Sequence, residues 1–363
     1  MKRLVVSGFY GAGNAGDEAI LDALIISIRK LAPDTVITVL SFDPAGTARQ
    51  YGVEAVPRYN LKAVIASLRQ ADLLISGGGG LLQDATGPAS VPYYLGLAAL
   101  SRFVGTPVII LGQSVGPLNM PTTRLLARLL LPFISQAVVR DETSALLLTE
   151  LGYPSDRIYV TADLALSGEE PNKEAGRSLL EANGFNSNKP WIAVSLRPWD
   201  DNRHLAVSGK ALGRFAAASG CELLFVPFQA SQDRAACLDA CRCAGTGQVL
   251  DAEVSAADIK NIIAAADFLV GMRFHSLVFA AMGAVPSLAL EYDPKVTAIV
   301  GRLGIPSAGM VGELDEDTLL GSLKEAWKRK GEMIFRLERL ALEFRYLAED
   351  GIREAIVGRG KGS

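Results

Sequence analysis

The chain has 363 residues, of which 49% are hydrophobic and 21% charged, and its net charge is -3. That length suits two domains of ordinary size, and that composition belongs to a folded globular protein rather than a disordered one. The small net charge excludes a global basic field for nucleic acid but leaves room for a local cationic site.

Met1-Lys2-Arg3 is followed by only a few apolar residues before the chain turns glycine-rich, whereas a signal peptide needs a longer apolar region. The longest apolar runs, 125–139 and 277–290, are interrupted by Arg128 and Pro132 or by Gly283 and Pro286, too soon to cross a bilayer. The expectation is a cytoplasmic protein. Cys221, Cys237, Cys241 and Cys243 contain no C-x-x-C pair, and the chain has two histidines, so free thiols are expected rather than a zinc site.

From Lys2 the pattern reads strand, loop, helix, strand: 4–7, 17–31 and 36–41. A helix around 61–68 and a strand at 73–76 follow, then the Gly77 to Gly80 run, a helix near 93–104 and a strand at 108–111. A helix at 124–131 leads to a strand at 137–139 that ends in Arg140-Asp141. Such alternation predicts a doubly wound parallel sheet with helices on both faces. Residues 172–190 are polar and contain a helix, and the domain linker is expected near there. The alternation then restarts with a strand at 192–195 ending at Arg197, a helix at 209–218 and a strand at 223–226. A strand at 268–270, a helix at 276–282 and a strand at 287–290 continue it, and Arg273, His275, Glu291, Asp293 and Lys295 fall at the strand ends. The predicted fold is therefore α/β, with two Rossmann-like doubly wound domains facing across a cleft. Their expected bounds are 1–172 and 173–312. Residues 313–363 form a C-terminal helical tail, whose basic part (Lys328 to Lys330, Arg336, Arg339) reads as a solvated helix or as a membrane-surface contact.

Ligands of open parallel sheets bind outside the carboxyl ends of the strands, so the loops there carry the candidate chemistry. Gly11-Ala-Gly13-Asn-Ala-Gly16 matches the dinucleotide fingerprint, and Asp43 could serve as the ribose-binding acid. Asp17 and Glu18 argue against that reading, because carboxylates on the first helical turn suit the helix's positive end and repel a pyrophosphate. No Lys-Ser/Thr follows the glycines, which excludes a P-loop. The Gly77 to Gly80 run reads either as close backbone approach or as a substrate loop, with Asp84 placed to accept a sugar hydroxyl. Arg140-Asp141 reads as a neighbouring ion pair. Arg197 and Arg203 flank Trp199, and guanidiniums gathered at strand ends would suit a small polyanion. His275, at a strand-to-helix corner, fits function better than core packing.

In order along the chain, Gly8-Phe-Tyr-Gly11 with Asn14 and Gly16-Asp17-Glu18, Ser76-Gly-Gly-Gly79 with Gln83-Asp84, and Gly112-Gln-Ser-Val-Gly-Pro117 form a pattern. Val139-Arg-Asp-Glu142, Ser195-Leu-Arg197 and Gly271-Met-Arg-Phe-His-Ser276 with Tyr292-Asp-Pro-Lys295 complete it. Through these motifs the chain resembles the polysaccharide pyruvyl transferases, most closely the bacterial cell-surface-anchoring branch. The resemblance implies a glycosyltransferase-B-like pair of domains that moves pyruvate from phosphoenolpyruvate onto two hydroxyls of one sugar, releasing phosphate. It implies N-acetylmannosamine of a lipid-linked secondary cell-wall polymer precursor as the acceptor, with the ketal later bound by S-layer homology domains. Phosphoenolpyruvate would be a substrate, with no cofactor or metal. Arg140, Arg273 and Lys295 are the similar positions for anion binding, with Arg197 a further candidate. His275 is expected to be the general acid that protonates the methylene carbon or the donor to the phosphate. Asp17, Asp84 and Asp141 are candidate bases, and Asp17 and Asn14 are expected to line the acceptor side. Two other classes stay open: a nucleotide-sugar glycosyltransferase of the same fold, and an NAD-binding oxidoreductase.

Overall fold

The computed structural model describes residues 2–85, 87–185, 188–250 and 254–357. The chain divides into two compact units, one of residues 1–169 with 344–363 and the other of residues 170–343.

The first unit alternates β1 (Arg3–Ser7), α1 (Ala15–Leu31), β2 (Val36–Ser41), α2 (Pro44–Tyr51), β3 (Glu54–Pro57), α3 (Leu61–Gln70) and β4 (Leu73–Gly77). It continues through α4 (Ser90–Phe103), β5 (Val108–Gln113), α5 (Pro121–Leu130), β6 (Gln136–Val139), α6 (Glu142–Glu150) and β7 (Ile158–Val160). All seven strands are parallel in the order β3-β2-β1-β4-β5-β6-β7. The central strands are apolar runs buried on both faces, as a sheet covered on both sides requires. Order reverses between β1 and β4, whose registers align Leu4 with Leu73 and Ser7 with Ser76. The crevice of this unit therefore opens beyond Ser7 and Gly77.

The second unit runs α7 (Lys173–Ala182), β8 (Trp191–Ser195), α8 (Arg203–Ser219), β9 (Glu222–Phe225), α9 (Ala230–Ala244), β10 (Gln248–Val249) and α10 (Ala256–Ala265). Then follow β11 (Phe268–Gly271), α11 (Phe274–Met282), β12 (Ser287–Glu291), α12 (Pro294–Leu303), β13 (Ser307–Met310), α13 (Glu316–Lys328) and α14 (Lys330–Val357). Its parallel sheet has the order β10-β9-β8-β11-β12-β13, which places the reversal between β8 and β11. Gly271 is level with Ser195 on one side, where β8 and β11 both end, and with Ala289 on the other, from which β12 runs two residues further to Glu291. Helix α14 begins in this unit, and its last part, from Phe344, belongs to the first.

The expected strands and helices are present with ends moved by a few residues. Helix α7 is the helix expected in the stretch around the linker, and residues 186–187 of that stretch lie outside the described residues. The apolar runs had not marked α2, β3, α6, β7, α9, α10, β10, α12 or β13. Strand β3 has exposed ends around two half-buried residues and ends in proline at the sheet edge, and β10 is two residues long.

Candidate functional site

At the β8 end of the second unit, Leu196-Arg197-Pro198 leads into a turn with Asp200 and Asn202 at positive φ. The Asn202 side chain accepts from the Trp199 amide at 2.9 Å, and the Arg197 carbonyl lies 3.0 Å from His204 Nε2. His204 is a buried helix residue, and burial holds its pKa below the usual imidazole value. The Arg197 guanidinium donates to the Tyr292 hydroxyl at 3.2 Å. It lies 5.2 Å from the Tyr292 ring centroid and 5.7 Å from that of Trp199, while the two rings meet edge-on at 4.7 Å.

Lys295 approaches the same tyrosine, with its Nζ 5.8 Å from the ring centroid. Asp293 caps α12 by accepting from the Lys295 amide at 3.0 Å, and its other oxygen lies 3.3 Å from Lys295 Nζ. Tyr292 thus gathers two cations carried by loops beyond β8 and β12.

Arg273 follows β11 and points the other way. Its guanidinium forks onto Asp233, with Nε donating at 3.0 Å to Oδ2 and Nη2 donating to Oδ1. Asp233 Oδ2 also accepts from the Phe228 and Gln229 amides at 3.1 and 2.9 Å, which ties the end of β9 to the first turn of α9. Asp233 is fully buried and Arg273 is 8% exposed. Because β8 and β11 are neighbours, the arginines cross: Arg197 reaches over β11 towards β12, and Arg273 passes β8 towards β9. His275 sits half-buried on the first turn of α11, edge-on to Phe274 at 5.2 Å and tilted against Phe279 at 6.3 Å.

In the first unit the glycine loop after β1 is bound internally. Glu18 accepts from the Gly11 amide at 2.7 Å and from the Tyr51 hydroxyl at 3.0 Å. Burial lifts its carboxyl above the ordinary range against the pull of those two donors. A carboxylate of the protein itself thus occupies an amide that a dinucleotide phosphate would need. Asp43 caps α2 through the Gly46 amide at 3.0 Å, a structural use of the residue that could have read a ribose.

Asn14 caps α1 by accepting from Gly16 and Asp17 amides at 3.0 and 3.4 Å. Gly78 and Gly79 after β4 have φ of 74° and 69°. A Cβ at Gly78 would lie 2.2 Å from Ile20 Cγ2, and one at Gly79 would lie 2.7 Å from Asp17 Oδ1. The glycine run lets the β4 loop close onto α1, and half-buried Asp17 stands where the β1 and β4 loops meet.

Asp84 accepts from the Asn119 and Met120 amides, each at 2.8 Å, and from the Thr123 hydroxyl at 2.6 Å. Burial acts to raise its pKa, but these donors outweigh it and hold the carboxyl below the ordinary range. Asp141 caps α6 through the Ser144 amide at 2.8 Å and also accepts from the Ser144 and Ser114 hydroxyls. Arg140, 3% exposed, donates to Asp163 at 2.7 Å and to Ser114 at 2.8 Å. Of the residues expected to handle substrate, the second unit therefore brings Arg197, Arg273, His275 and Lys295 to three adjacent strand ends. In the first unit, Asn14, Asp84, Arg140 and Asp141 hold loops in place. Asp163 and Asp233, the carboxylates that neutralise the two buried arginines, were not singled out from the sequence.

Two doubly wound parallel sheets define a two-domain Rossmann-like α/β protein of the glycosyltransferase-B fold. Solved structures similar over almost the whole chain share that fold. MnaA of S. aureus with UDP has 13% identity and a TM-score of 0.64, covering 100% of this chain and 99% of that one. A Neisseria meningitidis UDP-GlcNAc 2-epimerase bound to UDP-GlcNAc has 15% identity and a TM-score of 0.66, covering 100% of both. Anabaena Alr3699/HepE with UDP and glucose has 13% identity and a TM-score of 0.65, covering 98% of both. The chain belongs to the polysaccharide pyruvyl transferase family, whose family model matches residues 14–294. The amylovoran biosynthesis protein AmsJ of Erwinia amylovora is 23% identical over 274 residues, 69% of this chain. The match spans 64% of that relative, less than two thirds of its length.

Proposed function

We propose that the enzyme takes phosphoenolpyruvate as donor and forms a pyruvate ketal on two hydroxyls of one sugar. Arg197, Arg273, His275 and Lys295 on adjacent strand ends of one sheet carry this reading, because the donor brings a carboxylate and a phosphate to be held together. Arg197 and Lys295, gathered by Tyr292, bind those anionic groups, and the Arg273–Asp233 fork fixes the floor beside them. Proton transfer from His275 to the methylene carbon makes the enol carbon cationic, and the first hydroxyl attacks it. That hydroxyl's proton restores His275. Carbon–oxygen cleavage then releases phosphate, the second hydroxyl attacks, and its proton leaves with the phosphate. Asp17 is assigned as the base that first takes each of these protons from its hydroxyl before it is passed on, with Asn14 beside it on the acceptor side.

The acceptor assigned is N-acetylmannosamine of a lipid-linked secondary cell-wall polymer precursor, as in the S-layer-anchoring branch. The family's description as polysaccharide pyruvyl transferases and a relative named for amylovoran biosynthesis support a polysaccharide precursor as the acceptor class. A precursor of that kind places the enzyme in the cytoplasm, in peripheral contact with the inner face of the membrane. Among the described residues no helix is long and apolar enough to cross a membrane.

The test is phosphate release from phosphoenolpyruvate with nitrophenyl N-acetylmannosaminide, followed by mass spectrometry of the product. Wild type should release phosphate only with acceptor present, and His275→Ala should lose at least ~100-fold in kcat. Normal turnover by that variant removes His275 from the mechanism. Release of nucleotide from a nucleotide-sugar donor, with none of phosphate, replaces the reading with a glycosyltransferase.

A further inference from the structure

We infer that Phe42, Tyr59 and Tyr93 form a platform that stacks a second sugar ring of the acceptor, beyond the one that receives pyruvate. The inference rests on the proposed acceptor class.

The platform starts at the glycine loop. Phe9, two residues before Gly11, meets Phe42 edge-on at 5.1 Å between centroids. Phe42 meets Tyr59 at 5.8 Å and Tyr59 meets Tyr93 at 5.6 Å, both edge-on. Phe9, Phe42 and Tyr59 follow β1, β2 and β3, so the row crosses the carboxyl ends of three adjacent strands, a span of about 10 Å. It leads away from the loop that carries Asn14 and Asp17, as a further acceptor ring would.

Core packing anchors Phe9 and Tyr93 but does not account for the outer two rings, since Tyr59 is 69% and Phe42 41% exposed. Nor are they loose. Beneath them lies buried Arg58, with its guanidinium carbon 4.4 Å from the Phe42 centroid and 4.3 Å from that of Tyr93. Arg58 donates to the Gly8 carbonyl at 2.8 Å and to the Tyr94 hydroxyl at 3.1 Å, while the Tyr93 hydroxyl donates to the Arg58 carbonyl at 3.2 Å. The glycine loop and the rings are thus fixed by one cation. Pre-set aromatic faces with phenol hydroxyls at their rims suit a pyranose, which presents C–H groups on its faces and hydroxyls around its edge. An acyl chain would have no use for the phenols.

The probes are nitrophenyl N-acetylmannosaminide and its counterpart with one further pyranose between the sugar and the nitrophenyl group. Wild type should show a lower KM for the two-ring probe, and in saturation-transfer NMR the inner ring's C–H protons should receive magnetisation from the protein's aromatic protons. Tyr59→Ala with Phe42→Ala should bring the two KM values to within about twofold, from a ratio of roughly tenfold, and abolish transfer to the inner ring. Tyr59→Phe should keep the ring contact. Phe103→Ala, at an aromatic 88% exposed on α4 and away from the row, should keep the wild-type ratio and transfer. Equal KM values in wild type, or an unchanged ratio in the double variant, overturn the platform while leaving the transferase reading intact. Phosphate release from neither probe removes the acceptor reading. In that case, transfer to the inner ring that vanishes in the double variant still supports the platform, and its absence in wild type overturns it.

Discussion

Asp233→Asn removes the negative partner of Arg273 without changing the size of the side chain. In the folded protein the carboxylate takes the Arg273 fork and two backbone amides. The asparagine has one acceptor oxygen for these groups, and its NH2 faces donors. Arg273 is then left charged at 8% exposure with no formal counter-charge across the fork. Breaking a buried pair from one side costs about 3–5 kcal/mol, against a total stability of about 5–15 kcal/mol. At roughly 2–4 °C per kcal/mol for a unit of this size, the thermal midpoint should fall by about 6–20 °C. Circular dichroism melts and urea titrations both report it. Asp233→Asn with Arg273→Met removes both charges and keeps most of the volume, so the double variant should be more stable than Asp233→Asn alone, with a coupling of at least ~1.5 kcal/mol. A drop below about 2 °C in the single variant, or strictly additive effects in the double, would refute the account of this pair. Activity of the folded double variant then separates two roles: full phosphate release makes Arg273 structural, and its loss makes the guanidinium part of the anion site.

Three further outcomes follow from the first unit and the thiols. Burial raises the Glu18 carboxyl, so between its unfolded and folded values the folded state holds the extra proton and stability falls as pH rises through that window; Glu18→Gln should flatten this slope in melts taken from pH 4 to 8. Gly79→Ala, at φ 69° and facing Asp17, should cost about 1–2 kcal/mol and reduce phosphate release further than its melting shift explains, whereas Gly80→Ala, where a Cβ meets nothing within 4 Å, should behave as wild type. Exposed Cys243 should react with iodoacetamide at pH 8 in the native protein, while buried Cys237, its thiol pushed up to about 12, should stay unmodified until unfolding, as peptide mapping would show.

The fold was legible because its central strands are buried on both faces and appear as unbroken apolar runs between glycines. Edge strands were lost because half of each faces solvent, as in Glu54-Ala-Val-Pro57. Helix α9 escaped for a different reason: its buried stripe is Asp233, Ala236, Cys237 and Ala240, with no large apolar side chain to set a period. Arg197, Arg273, His275 and Lys295 were found because strand ends mark binding loops whatever their partners. Their partners were not legible. Asp233 lies 40 residues before Arg273 in sequence, and only the strand order, with β8 between β9 and β11, puts the two together. Asp163 and Arg140, 23 residues apart, make the same point in the first unit.

What distinguishes the cations of the second unit is how each is neutralised. Asp233 cancels Arg273 through a buried fork, and Asp293 stands 3.3 Å from the Lys295 ammonium. Arg197 instead rests against two aromatic rings and spends one donor on the Tyr292 hydroxyl, and its buried Nε takes no hydrogen bond among the described residues. Ring faces hold a guanidinium in place without cancelling its charge, and a guanidinium has five donors. An incoming anion therefore gains more at Arg197 than at Arg273, where it must compete with a carboxylate already seated. In the proposed reaction this makes Arg197 the principal ligand of the donor's charge. Tyr292 couples it to Lys295, so that one ring sets the spacing of the two cations which the carboxylate and phosphate of the donor must match.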